Sequence, residues 1–407
     1  MEVMYARCAG LDVHKQTVVA CIRITDNGAP RHAVRTFATT TSSLLALADW
    51  LDRHGVTHVA MEATGVYWKP VWHILEGHCE LVLANAAHVK NVPGRKTDVN
   101  DATWLADLLA HGLVRASFVP PAAVQELRAL TRTRKQFVRE RAAHVQRIEK
   151  ILEDANLKLG VVLSDLMGKS GRAVLQAIID GNGDPEVLLT LVSLRVKASR
   201  DEIREALRGH IRSHHRFMLK LHLEHIDALD RGIATIEQEV GAGLKPFLDA
   251  AQRLSTMPGM SEVASHAVVA EIGIDMARFE TPAHLLSWAC MCPRNDESAG
   301  KRRSTRLRRG GKWLKTTLVQ AAWAAVRVKG SYLQAQFHRI RARRGAKKAI
   351  IAVAASMLTA IWYMLRNGTE WRELGAAHFD HADAKKTAAR LIRRLQQIGY
   401  TVQVTPA

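Results

Sequence analysis

The 407-residue sequence predicts an α/β N-terminal domain, a helical, coiled-coil middle region and a mainly α-helical C-terminal domain. Three observations support this division. Short β-rich runs alternate with helical patterns as far as residue 119, a heptad-like apolar repeat starts after Pro120-Pro121, and apolar helical runs dominate after Leu254. We therefore expect four segments, at residues 1–119, 120–250, 251–380 and 381–407, the last of which is a basic tail.

The N-terminal segment alternates strands with helices. Tyr5–Val13 and Thr17–Ile24 are β-rich runs on either side of a short polar turn, which predicts a hairpin. A third run precedes Ser42 and Ser43, either of which is a suitable N-cap for an apolar helix. The predicted elements from that third run onward are a strand at Arg35–Thr39, a helix through Leu51, a strand at Val56–Met61, a helix at Val66–Leu75, a strand at Glu80–Ala84 and a helix at Asp101–Leu109. This order is that of an RNase H-like α/β domain.

Two long amphipathic helices are predicted in the middle segment. Apolar residues recur at alternating steps of three and four from Val124 to Leu159, interrupted at the same spacing by Arg134 and Arg141. Such spacing is typical of a coiled coil. The pattern resumes from Leu219 after a Gly-rich break at 181–184. We expect either an antiparallel hairpin or oligomerisation arm, or an intramolecular helical bundle.

The charge balance points to a polyanionic partner. The chain has 58 Lys and Arg against 39 Asp and Glu, a formal net charge of +19. Neutralised phosphates release counterions, so nucleic acid is a better partner for this chain than an anionic membrane. The uncharged stretch Ala349–Leu365 is short for a membrane span, and we interpret it as a buried helix. Five cysteines without regular spacing, and no signal-peptide pattern, predict a reduced cytoplasmic protein.

Four acidic residues stand where an α/β fold gathers functional side chains. Asp12 lies in or at the end of the first predicted strand and Glu62 follows the fourth, so both should reach one sheet edge. Asp98 and Asp101 share one face at a helix start, although Asp98 or Asn100 would also serve as a simple helix cap. Converging carboxylates repel one another unless cations bind, and oxygen ligands select Mg²⁺ or Mn²⁺. These residues predict a metal site for phosphodiester chemistry.

A basic stretch in the third segment accompanies two candidate nucleophiles. Seven cations between 301 and 312 predict a phosphate-binding surface rather than an ordinary solvated loop: Lys301, Arg302, Arg303, Arg306, Arg308, Arg309 and Lys312. A serine hydroxyl beside such charge is able to attack phosphorus, and the resulting phosphoserine link conserves the bond for rejoining. By this chemistry alone, Ser298 and Ser304 are equal candidates.

Two further patterns are less specific. The Pro258-Gly259 turn before the helical run Val263–Ile272 is similar to a helix-hairpin-helix element, in which backbone N–H groups hold a DNA phosphate. Histidines at 210, 214, 215, 222 and 225 include helical i,i+3 and i,i+4 pairs. Such pairs suit either a metal or, in our interpretation, a polar helix face toward nucleic acid or solvent.

Together these motifs resemble the DEDD-type insertion-sequence transposases related to the Piv DNA invertase. The resemblance rests on Gly10–Lys15, Met61–Gly65 and Lys96–Ala102, on the Pro-Gly turn at 258–259, and on the Ser298-Ala299-Gly300 loop. It extends over residues 5 to 365, most of the chain.

This resemblance implies an N-terminal domain like that of the RuvC Holliday-junction resolvase, in which the four acidic residues bind Mg²⁺. It implies a nucleophilic serine in the C-terminal transposase domain and a composite site between subunits of a homo-oligomer, a dimer or tetramer. The family's motif places that serine before a small residue and Gly, which favours Ser298 over Ser304.

The expected function is then a transposase, a site-specific recombinase that excises and inserts a mobile element. Its partners would be double-stranded DNA at the element ends and target, and an element-encoded bridge RNA as guide. Two alternatives remain at this point. One is a RuvC-like junction resolvase that hydrolyses DNA without a serine, and the other is a nucleic-acid-binding protein whose acids are structural.

Overall fold

A computed structural model describes residues 2–26, 28–63, 65–84, 100–293, 296–298, 301–304, 306–308, 310–381 and 384–403. The chain divides into two compact units, Met1–Val119 and Pro120–Ala407. The finer division at residues 250 and 380 stays a prediction.

The N-terminal unit is a mixed α/β sheet structure. Its elements are β1 (Arg7–Val13), β2 (Thr17–Ile24), β3 (Arg31–Ala38), α1 (Thr41–Arg53), β4 (His58–Glu62), α2 (Trp68–Leu75), β5 (Glu80–Ala84) and α3 (Asn100–Ala110). The predicted order of strands and helices is confirmed among the described residues. The sheet order is β3-β2-β1-β4-β5, with β1, β2 and β3 antiparallel and β1, β4 and β5 parallel.

Both faces of this sheet are covered. Side chains such as Leu11 and Met61 pack on one face with α1 and α2, while Cys8 and Ala60 pack on the other against α3. Because successive side chains in a strand alternate between faces, β1 is almost continuously buried.

The predicted cap of α1 is wrong. The helix begins at Thr41, so Ser42 and Ser43 lie inside its first turn, and Thr40 at the N-cap makes no side-chain cap hydrogen bond. The Ser43 hydroxyl instead accepts a hydrogen bond from the backbone N–H of Ala38, at 2.9 Å. This bond ties the helix start to the end of β3.

The C-terminal unit is mostly helical. Its elements are α4 (Ala122–Asp154), α5 (Leu159–Val162), α6 (Lys169–Ile179), α7 (Pro185–Thr190), α8 (Arg200–Ala206), α9 (Ser213–Leu244), α10 (Leu248–Ser255), α11 (Glu262–Ile272), α12 (Pro282–Trp288), β6 (Asp296–Ser298), β7 (Lys301–Ser304), α13 (Lys312–Ala325), α14 (Tyr332–Arg344), α15 (Ala346–Asn367), α16 (His378–His381) and α17 (Ala384–Gln397), with 3-10 turns at Lys245–Phe247 and Met276–Arg278.

The two long helices α4 and α9 pack antiparallel within the chain. Arg134 Nε donates to Glu237 Oε1 at 2.8 Å, and Arg141 pairs with Asp230. The two arginines that interrupt the apolar repeat therefore meet carboxylates of the partner helix. An intramolecular antiparallel pair is thus found, whereas its supercoiling stays a prediction.

The connection between these helices contains short helices in addition to the predicted Gly-rich break. Four short helices, α5–α8, enclose a core with the ends of α4 and α9, in which Ile148, Leu188, Leu207 and Ile226 are fully buried. Each of these helices is too short to be stable alone, so packing against the long pair stabilises them.

Helix α15 is the one described helix long and apolar enough to pass a membrane-span test of length and hydropathy. Nine of its side chains, among them Val353 and Trp362, are buried in the unit, and Trp362 Nε1 donates to the carbonyl of Phe279 at 2.9 Å. These contacts are those of a core helix.

Candidate functional site

Parallel pairing of β1 with β4 places two of the predicted acids side by side. Leu11 lies opposite Met61 in the register, so Asp12 and Glu62 are the next residues of each strand. By alternation, both share the sheet face of Gly10 and Ala60, which is the face covered by α3. Both side chains are half-buried.

Helix α3 brings the third acid to the same edge. Its last residue, Ala110, accepts backbone hydrogen bonds from Met4 and Tyr5, just before β1 begins. The helix therefore runs back along the strand, and its first turn lies over the strand's carboxyl end. Asp101 belongs to that first turn.

Gly10 allows this helix to approach closely. A Cβ built at Gly10 would lie 2.2 Å from the carbonyl oxygen of Ala102 and 2.5 Å from the backbone nitrogen of Ala106. No larger residue fits without moving the helix, since real Cβ atoms essentially never approach that near. Gly10 thus sets the distance between Asp101 and Asp12.

The structure places Asp12, Glu62 and Asp101 at one edge of the sheet without bringing their carboxylate oxygens within reach of a single ion, whereas Asp98 lies outside the described residues. It also adds His14, which our sequence interpretation did not select as a site residue. Its Nε2 lies 3.1 Å from Asp12 Oδ2, and since a carboxylate only accepts, the histidine donates. The signal was present as the Asp-Val-His spacing at the strand end.

This set of groups suits a hard divalent cation. The ligands offered at one edge are carboxylate oxygens, and the Asp12 side chain is 18% exposed. Mg²⁺ and Mn²⁺ prefer such oxygen ligands. A partly buried group of carboxylates also gains most from a bound cation, because water screens their mutual repulsion poorly.

The predicted basic loop contains a short antiparallel hairpin. Ser298, the last residue of β6, pairs with Lys301 at the turn end, whereas Ser304 pairs with Asp296 at the base. Lys301, Arg306, Arg308 and Lys312 are exposed. The side chains of Ser298, Arg302 and Arg303, and all of Arg309, lie outside the description.

Neighbouring helices hold the segment that follows β7, at residues 308–311. Arg308 Nη2 donates to Ser287 Oγ at 3.3 Å, and Lys315 Nζ donates to the carbonyl of Arg308 at 3.1 Å. Gly311 has a left-handed backbone, and a Cβ there would lie 2.3 Å from the carbonyl oxygen of Ala289. The exposed cations therefore project from an anchored segment.

Basic side chains of α4 pack against the start of α13, next to Lys312. Arg132 and Arg139 lie over the Trp313 ring, with their guanidinium carbons 5.7 and 5.2 Å from its centroid. Lys135 Nζ donates to Thr317 Oγ1 at 3.0 Å, and burial, reinforced by Arg139, lowers the pKa of Lys135. Our sequence analysis did not select these residues.

The histidines form two groups along the α4–α9 pair. Asp154, His214 and His215 lie close enough to hold a metal ion by distance alone. However, His215 Nδ1 accepts from the backbone N–H of Arg212 at 3.2 Å, so its Nε2 carries the proton that it donates to Asp154 at 2.8 Å. Both nitrogens of His215 are thereby occupied, and a hydrogen bond from the neutral imidazole to Asp154 accounts for their contact.

The Pro-Gly turn lies between α10 and α11. Gly259 has a positive φ of 77°, and a Cβ there would lie 2.3 Å from the carbonyl oxygen of Ala321. Ser261 caps α11, since its Oγ accepts from the backbone N–H of Ala264. The turn thus packs on α13, and its contact with DNA phosphate stays a prediction.

Two family models match the chain. A DEDD transposase model of the IS110 type matches residues 9–156, and a model of the IS116/IS110/IS902 transposase family matches residues 251–338. The chain belongs to the IS110 family of transposases. The acidic edge of this IS110-family transposase lies within the first matched range, and its basic hairpin lies within the second.

A curated relative is also a transposase. The transposase for insertion sequence element IS1111A from Coxiella burnetii (strain RSA 493 / Nine Mile phase I) is 25% identical over 299 residues, 71% of this chain and 72% of that one. The IS110-family transposase is therefore an enzyme of DNA transposition. DEDD transposases typically depend on a divalent metal, which agrees with the oxygen-rich edge.

Proposed function

We propose that this transposase excises and inserts its mobile element by serine-mediated strand exchange at a metal-binding, RuvC-like N-terminal domain. The observation that carries the proposal is the arrival of Asp12, Glu62 and Asp101 at one edge of the sheet. The sheet order, with three antiparallel strands followed by two parallel ones, supports an RNase H-like assignment.

Asp12, Glu62, Asp101 and the undescribed Asp98 would hold Mg²⁺, or Mn²⁺ in its place. When bound, the cation would neutralise charge on the attacking and leaving oxygens of a phosphodiester. The chain's own contribution is to position these ligands: Gly10 sets the spacing of α3, and His14 orients the Asp12 carboxylate through its Nε2–H.

Ser298 is the proposed nucleophile. Its Oγ bonds to phosphorus as the bond from phosphorus to one strand oxygen breaks, the serine proton is released, and the leaving oxygen takes up a proton to become a strand-end hydroxyl. A hydroxyl of a second strand then attacks the phosphoserine and frees the serine. Lys301, Arg306 and Lys312 would hold the flanking phosphates.

Ser304 has a local structural role instead. Its Oγ accepts a hydrogen bond from the backbone N–H of Arg306 at 3.2 Å, at the base of the hairpin. Ser298 lies at the turn end of that hairpin, three positions before the next described residue, Lys301 on β7. This difference supports Ser298 over Ser304.

The proposal includes the partners implied by the family resemblance. They are double-stranded DNA at the element ends and target, a bridge RNA as guide, and further copies of the chain in a dimer or tetramer, acting in the cytoplasm without a membrane. The formal charge of +19 supports nucleic acid as a partner, because Lys and Arg neutralise its phosphates.

The test is excision and strand joining of an element end by purified protein with Mg²⁺, with and without RNA transcribed from the element. Asp12→Asn, Glu62→Gln and Ser298→Ala should each abolish joining while DNA binding persists, and Ser304→Ala should remain active. Cutting that survives in Ser298→Ala would favour the hydrolytic resolvase. Full joining by Asp12→Asn and Glu62→Gln would refute the metal site.

A further inference from the structure

The tip of the α14–α15 hairpin is a second cationic surface, separate from the basic hairpin at 301–312. Between Tyr332 and Asn367 the chain carries seven Lys and Arg and no Asp or Glu. Six of the seven lie within ten residues: Arg339, Arg341, Arg343, Arg344, Lys347 and Lys348. We propose that this tip, here called the basic tip, binds the phosphate backbone of duplex DNA, an inference that rests on the proposed DNA recombination.

The basic tip is held rigidly but left open to solvent. Every residue from 341 to 348 is exposed. The flanking residues Leu333 and Phe337 on α14, and Ala349 and Ile350 on α15, are buried. Gly345 makes the turn between the helices with a positive φ of 79°. Cations on both helices therefore project from a fixed support, which lowers the entropy lost on binding.

The cations of the basic tip form no ion pair within the part of the chain that the structure describes. Among the described residues, none of Arg341, Arg343, Arg344, Lys347 and Lys348 forms an ion pair, and Arg339 contacts only the Phe379 ring, 5.2 Å from its centroid. The carboxylate that contacts α14, Glu373, does so at the opposite end, where Tyr332 N–H donates to it at 2.6 Å.

Two half-buried arginines elsewhere in the same unit are paired. In the helical region between the long helices, Arg172 contacts Asp227 and Asp230, and Arg204 contacts Glu186 and Asp201. The dipole of α14 favours the arginines in its last turn, but Lys347 and Lys348 lie in the first turn of α15, where the helix dipole disfavours cations unless an anion neutralises them. A surface left without carboxylates on both helices therefore indicates an external anion.

The chemistry of the basic tip fits a duplex backbone. Residues 338 to 348 include no Phe, Tyr or Trp, so the tip offers none of these rings on which unpaired bases would stack. Fixed cations on two adjacent helices suit the regularly spaced phosphates of a double strand. These contacts position DNA without reading its sequence.

The test compares two triple variants of the full-length protein on a fluorescent 30-base-pair DNA duplex at several salt concentrations. The first variant combines Arg341→Gln, Arg344→Gln and Lys348→Gln. The matched control combines Arg195→Gln, Lys197→Gln and Lys220→Gln, three exposed cations of the α4–α9 region that have no ion pair among the described residues. Both variants lose the same formal charge.

For the tip variant we expect the slope of log K against log salt to become shallower by about 2 to 3, with binding at least about tenfold weaker near 0.1 M salt. The control should match the unmodified protein, and Arg341→Lys with Arg344→Lys should keep the slope. Melting curves verify that all variants fold.

Equal slopes for the tip variant and the control would refute the basic tip while leaving the proposed recombination intact. A loss confined to structured RNA, with duplex DNA binding unchanged, would likewise overturn it in favour of an RNA surface. Failure of the unmodified protein to bind duplex DNA would overturn both proposals.

Discussion

At the scale of single residues, the acidic edge depends on a residue that carries no charge. Gly10 lets α3 touch β1, and this contact fixes Asp101 relative to Asp12. A methyl group at this position meets backbone atoms, which cannot rotate away as a side chain can. The glycine is therefore a positioning residue for the carboxylates, not a flexible hinge.

Gly10→Ala tests this role. The added Cβ forces α3 away from the sheet, so we expect the free energy of unfolding to fall by about 1–3 kcal/mol, and strand joining to be lost. Urea unfolding and the joining assay measure the two effects. Gly160→Ala is the control, because a Cβ there meets nothing within 4 Å. Unchanged stability and joining in Gly10→Ala would show that the helix spacing is irrelevant.

Sequence alone predicts the acids of this edge but not their support. Asp12, Glu62 and Asp101 each follow from a strand end or helix start that local patterns reveal. The Gly10 contact depends on Ala102 and Ala106, more than ninety positions further along the chain, and no local pattern encodes it. The His14 contact depends on side-chain orientation, which spacing does not fix.

At the scale of elements, the sequence predicts an element well where neighbouring residues determine it, and poorly where contacts with distant parts of the chain do. The bounds of β2 and β5 match the prediction, since β-rich runs between turn residues determine them locally. The helices α5–α8 escaped prediction because each needs burial against α4 and α9. The hairpin β6–β7 was not predicted, because its basic residues resemble those of a solvated loop.

A buried carboxylate joins α4 to α11. The Glu271 side chain is 7% exposed and receives two hydrogen bonds from Arg132, at 2.7 and 2.8 Å, with Arg128 beside it. Burial lowers the pKa of Arg128 to about 10, although Glu271 opposes this shift. The carboxylate therefore compensates the poorly solvated Arg128 and holds the partly exposed Arg132 in place.

Glu271→Gln should lower the free energy of unfolding by roughly 3 kcal/mol, because it leaves buried positive charge uncompensated. The measurement is urea unfolding followed by circular dichroism. On the same helix, Glu262→Gln is the control, since that side chain is 81% exposed, and its effect should stay within about 0.5 kcal/mol. Equal effects of the two substitutions would show that Glu271 does not stabilise the contact between α4 and α11.

Histidines in the α4–α9 pair should make its stability depend on pH. His144 Nδ1 lies 3.1 Å from His222 Nδ1, and His225, Arg147 and Glu140 act on the pair. Burial, followed by the nearby positive charges, lowers the pKa of both His144 and His222 below the ordinary 6.5. The unfolded chain then binds more protons, so stability falls as the pH drops through and below about 6.5.

We expect the urea midpoint to decrease between pH 7.5 and 5.5, and to decrease less in the double variant His144→Asn, His222→Asn. The difference between the two proteins isolates this pair from the other titrating groups. An identical decrease in both proteins would mean that the pair contributes nothing to the pH dependence.

At the scale of the whole molecule, charge and chemistry are distributed over both units. In the proposed reaction the N-terminal unit would contribute carboxylates for a metal, and the C-terminal unit would contribute the basic hairpin, Ser298 and the basic tip. The chain has 58 Lys and Arg against 39 Asp and Glu, and the basic hairpin and the basic tip carry thirteen of these cations. Composition predicts the polyanion, but only the fold shows which cations lack carboxylate partners.

The most direct test of the account is the identity of the residue that DNA becomes attached to. A nicked duplex of an element end, incubated with the protein and Mg²⁺, should trap a covalent adduct that survives denaturation. After digestion, mass spectrometry should find the nucleotide phosphate on Ser298, and no adduct should form with Ser298→Ala or Asp12→Asn. An adduct on Ser304 or elsewhere, or strand joining by Ser298→Ala without any adduct, would contradict the account.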